Sequence, residues 1–582
     1  MNIVGDLLIL FDAQVYPPSG RLQSSTWKLL SEFSPVWVQR TSPAWKGFPF
    51  RSCSSPDWEV RVLGEFQLQM PANGDGEPAE LTRSVASQFG SFLIFAWHRN
   101  RKEWHVWTDR FGTLHAYYAW DGRRAALSTF APAVAAVASR RALDWEALAA
   151  WFSFGFFPAD RTHFTDVRIL RPASHYVFDE QGCLLREERY WDWQYNPDEK
   201  RNYPDTVEEF GRVFAEVMTD ALSDGCVAVP VSGGLDSRST VAAVDPELSQ
   251  TGRLWAYSYG YGNASVETTI ACQVAQARSL PFQAYTIQPY LFEQIERLLA
   301  YTEGFQDVTQ ARQMAVRDEI GLHADILIAA LWGDVWLDEM GLAGQPDASE
   351  QMIGKHALKK IRKNDTWLLA NLVLPKLRID SAEPMLAEFV QVELQRLSDL
   401  GPPDFLLKAF KTEQWSFRWS IPPTRVFQSA AWPRKVFYDT RLADFFCTVP
   451  VRFLRGRQLQ IDYLKRFAPD LARITWQAYD ADLYHYQEFN TWQLPKRAVK
   501  KAWRSFRGDR AIQRNWEVQF LHLKGRPGLE RWLIQTGLKL HEFISVAPLK
   551  ALIEDFYREP LPARAYPLSM LLTFSAWLEM YG

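Results

Sequence analysis

The chain has 582 residues, which is too long for one ordinary hydrophobic core and predicts at least two domains. Hydrophobic residues make up 47% and charged residues 23%, and the formal net charge of −3 gives no electrostatic reason to expect nucleic-acid binding. The five cysteines form no CxxC pair, and the sequence shows neither a signal peptide nor an apolar run long enough to span a bilayer. We therefore expect a cytoplasmic protein with no membrane span.

Residues 1–195 are predicted to form a strand-rich first domain. Residues 90–99 and 103–112 are β-type runs joined by a polar turn, and the second run alternates as a half-buried strand does. A linker is expected directly after this region, where Pro197, Pro204 and a cluster of charged residues occur together.

Residues 205–582 are predicted to form the second domain. Between residues 226 and 345 strands and helices alternate, and the run at 326–331 is apolar throughout, as in a buried parallel strand. This β-α-β order predicts an α/β fold with a doubly wound parallel sheet as its core. Residues 346–582 are predicted to be mostly helical.

The segment 231–237, Val-Ser-Gly-Gly-Leu-Asp-Ser, lies between a predicted strand and a predicted helix. Gly233 and Gly234 would let the backbone approach an anion closely, and Ser232 and Ser237 would add hydroxyl donors. No lysine follows to reach a γ-phosphate, so the loop is poorly suited to γ-phosphoryl transfer. The sequence therefore predicts a phosphate-binding loop of another kind.

Asp236 is unexpected in an anion-binding loop, because a carboxylate repels phosphate unless a cation lies between them. Mg²⁺ binds carboxylate and phosphate oxygens together. Asp334 follows the buried strand at 326–331, so two strand ends are expected to bring both carboxylates to one metal–phosphate site. The alternatives are that Asp334 is a helix N-cap, or that Asp338 and Glu339 are the metal ligands.

Four segments together resemble one family. The motif SGGLDS resembles the pyrophosphate loop of the N-type ATP pyrophosphatases, and residues 90–119 resemble the end of a class II glutamine amidotransferase domain. Residues 154–193 and 436–450 are similar to segments of asparagine synthetases, with Asp439 at a matching position. The chain is identified as a member of the asparagine synthetase-like superfamily, which also holds β-lactam synthetases and lasso-peptide cyclases.

This resemblance implies ATP and Mg²⁺ as cofactors and a class II amidotransferase-like αββα domain before the ATP pyrophosphatase domain. It implies Asp236 and Asp334 as catalytic metal ligands. The residues expected to bind ATP or pyrophosphate are Val231, Ser232, Gly233, Gly234, Leu235, Asp236, Ser237, Tyr257, Ser258 and Gly333.

The sequence also departs from the family. Residue 2 is Asn2 where class II amidotransferases use a cysteine nucleophile, and Phe89 replaces an asparagine that grips glutamine, so we expect glutaminase activity to be lost. Both glutamates that accompany the Asp in asparagine synthetases are apolar here, at Leu331 and Val335. Of the lysines, Lys496 is a weak candidate for the one that supports the later step, and a surface role is favoured for it.

The resulting hypothesis is an ATP-dependent amide-forming ligase that adenylates a small-molecule or peptide carboxylate, releases pyrophosphate and passes the acyl group to an amine. Intramolecular amide closure and a nucleotide-binding pseudoenzyme are the alternatives, and a role in tRNA modification is disfavoured because no basic face or redox cysteine pair is present. The sequence leaves open whether the chain forms a homodimer.

Overall fold

The computed structural model describes residues 2–11, 26–31, 36–41, 47–65, 77–88, 90–137, 141–262, 265–363, 366–488 and 514–582. Within these ranges the fold is mixed α/β, with two antiparallel sheets, one parallel sheet and a helical C-terminal part. The search of these residues found no helix with the length and apolar character needed to cross a membrane. Phe89 and Lys496 lie outside the described residues.

Two antiparallel sheets form the N-terminal region. A seven-stranded sheet has the order β1-β5-β6-β7-β8-β12-β13, and a six-stranded sheet has the order β11-β9-β10-β2-β4-β3. The strands are β1 (Asn2–Val4), β2 (Asp6–Leu10), β3 (Thr26–Ser31), β4 (Val36–Thr41), β5 (Phe48–Ser54), β6 (Trp58–Gly64), β7 (Phe92–His98), β8 (Glu103–Thr108), β9 (Tyr117–Trp120), β10 (Ala125–Ser128), β11 (Val167–Ile169), β12 (Ser174–Phe178) and β13 (Leu184–Arg189).

Helices cover both outer faces of these sheets. Helix α1 (Pro78–Ala86) buries Leu81 and Val85 against the seven-stranded sheet, while α2 (Ala131–Val137) packs on β9 and β10. Helix α3 (Trp145–Phe154) begins at Asp144, whose side chain accepts a hydrogen bond from the Ala147 N–H, and ends at Gly155 with a left-handed backbone. This layering confirms the expected αββα arrangement.

The runs at 90–99 and 103–112 form the antiparallel pair β7–β8, as expected. The expectation of a half-buried second strand was wrong, since Trp104 to Thr108 are all buried. Trp104 and Val106 belong to the main core, whereas Trp107 packs in a second apolar cluster beneath α1. Strand β8 is therefore covered on both faces, so it has no solvent-exposed face of the kind that its alternating sequence predicted.

The C-terminal region is built on a five-stranded parallel sheet with the order β16-β15-β14-β17-β18. Its strands are β14 (Val227–Pro230), β15 (Leu254–Gly260), β16 (Phe282–Thr286), β17 (Ile326–Ile328) and β18 (Trp432–Arg434). The order reverses between β14 and β17, which is where parallel α/β sheets bind ligands.

The sheet core does not end at residue 345, and that expected boundary was wrong. Strand β18 pairs in parallel with β17, with Ile328 opposite Arg434, although about a hundred residues separate them in the chain. The strand has only three residues and contains Pro433, which is compatible with its edge position but gives no strand pattern in the sequence.

Helices surround the parallel sheet and form the rest of the chain. Those up to residue 336 are α4 (Tyr203–Ala221), α5 (Leu235–Ala242), α6 (Pro246–Ser249), α7 (Val266–Ala277), α8 (Leu291–Thr302), α9 (Arg317–His323) and α10 (Gly333–Trp336). The later helices are α11 (Glu350–Ile361), α12 (Thr366–Leu368), α13 (Leu374–Leu377), α14 (Glu383–Gln395), α15 (Pro403–Lys411), α16 (Thr424–Gln428), α17 (Thr440–Thr448), α18 (Gln458–Phe467) and α19 (Pro469–Ala472), followed by Asn515–Phe520, Gly525–Leu533, Val546–Arg558 and Pro562–Tyr581. Residues Leu369–Val373 and Thr412–Ser420 are π-helical.

A buried ion cluster ties the N-terminal sheets to the C-terminal region. Arg425 in α16 lies 2.9 Å from the Asp6 carboxylate on β2 and 3.3 Å from Glu303 at the end of α8. The side chains of Asp6 and Glu303 are 0% and 1% exposed. Because ions so deeply buried need partners, this cluster fixes how the two regions pack.

Candidate functional site

The Gly-rich loop lies between β14 and α5, at the point where the strand order reverses. Its shape is held by its own serines: the Ser232 N–H donates to Ser237 Oγ over 3.0 Å, and the Gly234 N–H donates to Ser232 Oγ over 3.2 Å. The first N–H groups of a helix have no partner within the helix, so the start of α5 presents donors to an incoming anion.

Arg238 and Gln477 hold the outer wall of this loop. Arg238 is 0% exposed and donates to the carbonyl groups of Ile474 and Thr475 over 2.7 and 2.8 Å. These bonds place Gln477 so close to Gly233 that a Cβ there would lie 2.3 Å from Gln477 Oε1. Glycine is therefore required at position 233 by close packing.

Asp236 and Asp334 meet beside the loop. The Asp334 N–H donates to Asp236 Oδ2 over 3.1 Å, and a Cβ at Gly333 would lie 2.8 Å from Asp236 Cγ. Asp334 is exposed, while the Asp236 side chain is 20% exposed. The structure thus brings the two predicted carboxylates and Gly333 together.

The Asp236 carboxylate has an unfavourable electrostatic environment that two side chains offset. Burial raises its pKa, the nearby Asp334 raises it further, and the Arg457 guanidinium opposes both effects. Arg457 forms an ion pair with Asp236 Oδ1, to which the Gln460 amide also donates over 3.2 Å. One guanidinium faces two carboxylates, so a net negative charge remains beside the loop.

Asp338 and Glu339, the competing metal-ligand candidates, have other contacts. Asp338 Oδ1 accepts hydrogen bonds from the N–H groups of Glu339 and Gly456 over 2.8 and 2.9 Å. Glu339 lies 3.3 Å from Arg455. Both acids therefore brace the turn that carries Arg457, which itself has a left-handed backbone with φ of 63°.

Tyr257 and Ser258, expected to contact ATP, lie on β15 next to the loop. The Tyr257 side chain is 0% exposed within an apolar cluster on the sheet, while its carbonyl accepts the Val231 N–H over 2.8 Å. Ser258 is also buried, with 4% exposure. The role of both residues in ATP binding stays a prediction.

Sequence reasoning missed four polar residues around the site, and three of them come from chain segments far from the loop motif. They are Arg238, Arg457, Gln460 and Lys411. Arg238 could have been found, since it directly follows the motif. An arginine in a helix expected to be buried is rarely unpaired, so it predicts a bonding partner nearby. Asp439 is not at the site: its side chain caps α17 and pairs with Arg441 over 2.8 Å.

The N-terminal region contains a different polar arrangement. The Asp109 carboxylate accepts hydrogen bonds from the N–H groups of Phe92, Phe111 and Thr113 and from the Thr113 hydroxyl. It therefore braces the turn after β8. Cys53 lies half-buried on β5, and burial raises the pKa of its thiol, opposite to what a cysteine nucleophile needs.

Part of the sequence is similar to known proteins. A family model described as a glutamine amidotransferase domain matches residues 81–191. A Methanocaldococcus jannaschii protein named as asparagine synthetase (glutamine-hydrolyzing) 2 is 28% identical over 166 residues, which is 28% of this chain. The chain covers about a third (32%) of that relative's length.

Among solved structures, an allosteric regulatory enzyme of purine biosynthesis matches with a TM-score of 0.20, at 8% identity over 50% of this chain and 76% of that chain. A glutamine phosphoribosylpyrophosphate amidotransferase from B. subtilis has a TM-score of 0.18, at 10% identity over 49% of this chain and 60% of that one. Neither similarity adds to the fold described above.

Proposed function

On the premise that the chain belongs to the asparagine synthetase-like superfamily, we propose that it is an ATP-dependent amide-forming ligase. In the proposed reaction a substrate carboxylate oxygen attacks the α-phosphorus of ATP, and the bond from that phosphorus to the bridging oxygen breaks to release pyrophosphate. An amine then attacks the acyl carbon, AMP leaves and the amine loses a proton.

The observation that carries this proposal is the Asp236–Asp334 pair beside the loop at the switch point of the parallel sheet. A loop with N–H donors and no lysine suits a leaving pyrophosphate better than a transferred γ-phosphoryl group. Arg457, already at Asp236, adds positive charge where charge would develop on the pyrophosphate.

The residues present fit Mg²⁺. This ion is commonly held in proteins by one or two carboxylates together with substrate phosphates, and Asp236 and Asp334 supply two. No group of three or more His, Cys, Asp or Glu side chains suited to a metal occurs in the described parts of the chain. When bound, Mg²⁺ would neutralise charge on the phosphates, and Asp236 would have to release Arg457 to accept it.

The amine source is proposed to be external to the N-terminal domain. The aromatic side chains of Phe111, Trp193, Trp336 and Tyr438 fill the space between that domain and the Asp334 helix, with ring centroids 5.8–6.3 Å apart. The N-terminal domain then acts as a scaffold, and we propose that it has no glutaminase activity.

Calorimetric titration of ATP, with Mg²⁺ or with EDTA, tests the proposal without knowledge of the acyl substrate. We expect magnesium-dependent binding to the wild type and its loss in Asp236→Ala and Asp334→Ala. Asp444→Ala is the matched control, because Asp444 is an exposed acid that pairs with Arg110 outside the loop. No binding to the wild type, or equal binding by all variants, would contradict the proposal.

A product assay then identifies the reaction. With a carboxylate that the protein accepts, we expect AMP and pyrophosphate, and formation of ADP and phosphate would refute the ligase chemistry.

A further inference from the structure

Lys411 is a half-buried lysine whose ammonium group lies near two indole rings. Its Nζ is 4.7 Å from the Trp415 ring centroid and 5.6 Å from that of Trp332. Among the described residues, no carboxylate lies within ion-pair distance of this nitrogen and no hydrogen bond to it is formed. The ammonium group therefore has two aromatic neighbours and no direct ion pair.

The neighbouring lysine in the same helix has different contacts. Lys408, one turn earlier in α15, is 0% exposed and donates to the carbonyl groups of Trp336 and Asp338 over 2.9 Å each. Those bonds fix the chain after Asp334 and use the Lys408 charge within the fold. Lys411 makes no comparable bond within the described residues.

The backbone around Lys411 is unusual on both sides of the ammonium group. Lys411 ends α15, and the π-helical segment Thr412–Ser420 begins at the next residue. Trp332 has φ of 81°, a conformation that is costly for a large side chain, and its indole N–H donates to Thr412 Oγ1 over 3.2 Å. Short π-helical segments and strained residues both concentrate at functional sites.

Lys411 is connected to the proposed metal–phosphate site through Asp334. Trp332, which flanks the ammonium, lies two residues before Asp334, whose N–H reaches Asp236. Burial lowers the pKa of Lys411, and the negative charge of Asp334 opposes that effect. A group bound at Lys411 would therefore lie next to the phosphates held by the loop.

We propose that Lys411 binds the carboxylate of the acyl substrate, and that the Trp332 and Trp415 rings bind an apolar, ring-bearing body attached to it. This inference rests on the proposed ligase function, because it places the attacking carboxylate beside the site for the α-phosphate. Ammonium–carboxylate pairing would position the carboxylate, and the indole rings would exclude water and select a flat apolar group. Trp415 also packs on Phe156, with ring centroids 6.4 Å apart, which extends the apolar wall.

Competitive acetylation of lysines by acetic anhydride, read by peptide mass spectrometry on the full chain without ATP, tests this assignment. The probe is benzoate, compared with acetate and benzyl alcohol. Lys376 is the internal control, since it is exposed and lies 5.1 Å from the Phe543 ring but donates to the Glu542 carbonyl. At a benzoate concentration ten times its Kd, we expect Lys411 to react about tenfold more slowly.

Protection should be weaker with acetate, absent with benzyl alcohol and absent at Lys376, and Trp415→Leu should weaken it more than Trp415→Phe. Equal protection by benzyl alcohol, equal protection of Lys376, or no protection of Lys411 would overturn the inference. The ATP titration is independent of this test. MgATP binding without benzoate protection refutes only the role of Lys411, whereas protection without MgATP binding refutes the ligase proposal and leaves a carboxylate site.

Discussion

Asp109 lies directly after β8 and Asp236 lies in the first turn of α5, one carboxylate in each region, and the two differ in what surrounds them. Burial raises the pKa of both. Asp109 accepts hydrogen bonds from Phe92, Phe111 and Thr113, so the protein satisfies it internally. Asp236 instead faces a second acid, Asp334, and depends on Arg457 for compensation.

The difference separates a structural carboxylate from one suited to ligand binding. Donors fixed by the local backbone stabilise a turn and leave no charge for a ligand. Two acids brought together at a sheet edge cost free energy unless a cation joins them, and proteins retain such arrangements at functional sites. Asp109 therefore has a structural role in the N-terminal region. The acidic pair beside the loop after β14 has the net negative charge expected of a cation-binding site.

The largest effect is expected where the two regions are joined. Arg425→Met would leave Asp6 and Glu303 buried without their cation, and should lower the free energy of unfolding by about 3–5 kcal/mol. Arg452→Met is the control, because the Arg452–Glu199 pair is exposed and should contribute less than about 1 kcal/mol. Thermal unfolding of both variants measures the difference, and equal shifts would show that the cluster does not join the regions.

The second prediction contrasts the two carboxylates directly. Asp109→Ala leaves several buried N–H groups without an acceptor and should cost about 3 kcal/mol of stability while MgATP binding persists. Asp236→Asn should change the melting temperature little and weaken magnesium-dependent ATP binding about 100-fold. Calorimetry and thermal unfolding on both variants give the comparison. The reverse pattern would assign the ligand site to the N-terminal region.

The third prediction concerns acid sensitivity of the N-terminal sheets. Burial lowers the pKa of His105 to about 2 and that of His175 to about 3, and His105 Nδ1 lies 2.9 Å from His175 Nε2. Both pKa values are depressed from 6.5 in the folded state, so the unfolded state binds more protons below that pH. The two neutral histidines should therefore contribute fully to the free energy of unfolding above pH 6.5. That contribution should be lost as the pH falls toward 3, by up to about 1.4 kcal/mol per pH unit for each histidine.

The double variant His105→Phe/His175→Phe keeps the stacked rings and removes the titrating groups. We expect its melting temperature to fall less steeply between neutral and acid pH than that of the wild type. His485→Phe serves as control, because His485 is exposed and pairs with Asp482. An unchanged slope in the double variant would show that other groups cause the acid sensitivity.

The smallest effect is expected at Gly333. A Cβ there would lie 2.8 Å from Asp236 Cγ and 2.9 Å from the Phe437 ring, so Gly333→Ala must displace the carboxylate. We expect about tenfold weaker MgATP binding, or roughly 1.4 kcal/mol. Gly344→Ala provides the matched control, since nothing lies within 4 Å of its Cβ position. Unaltered binding in Gly333→Ala would mean that Asp236 need not hold its position.

Local patterns predicted the parts of the fold in which neighbouring residues determine structure. The β7–β8 hairpin, the β14-loop-α5 unit and the convergence of Asp236 with Asp334 followed from short segments. Strand β18 could not be predicted, because Trp432–Arg434 becomes a strand only through pairing with β17. Arg457 and Lys411 were missed for the same reason, since their partners are distant in the chain.

The late position of β18 has a consequence for synthesis of the protein. Strand β17 leaves the ribosome about a hundred residues before its neighbour, which at 5–20 residues per second amounts to about 5–20 s. During that interval the nascent chain carries an unpaired strand edge, a surface that invites aggregation. Strand β18 then pairs with β17 and covers that edge. Arg434 of β18 also donates a hydrogen bond to the Glu65 carboxylate over 2.7 Å. We therefore expect the nascent chain to need chaperones most after residue 328, and before residue 434, has left the ribosome.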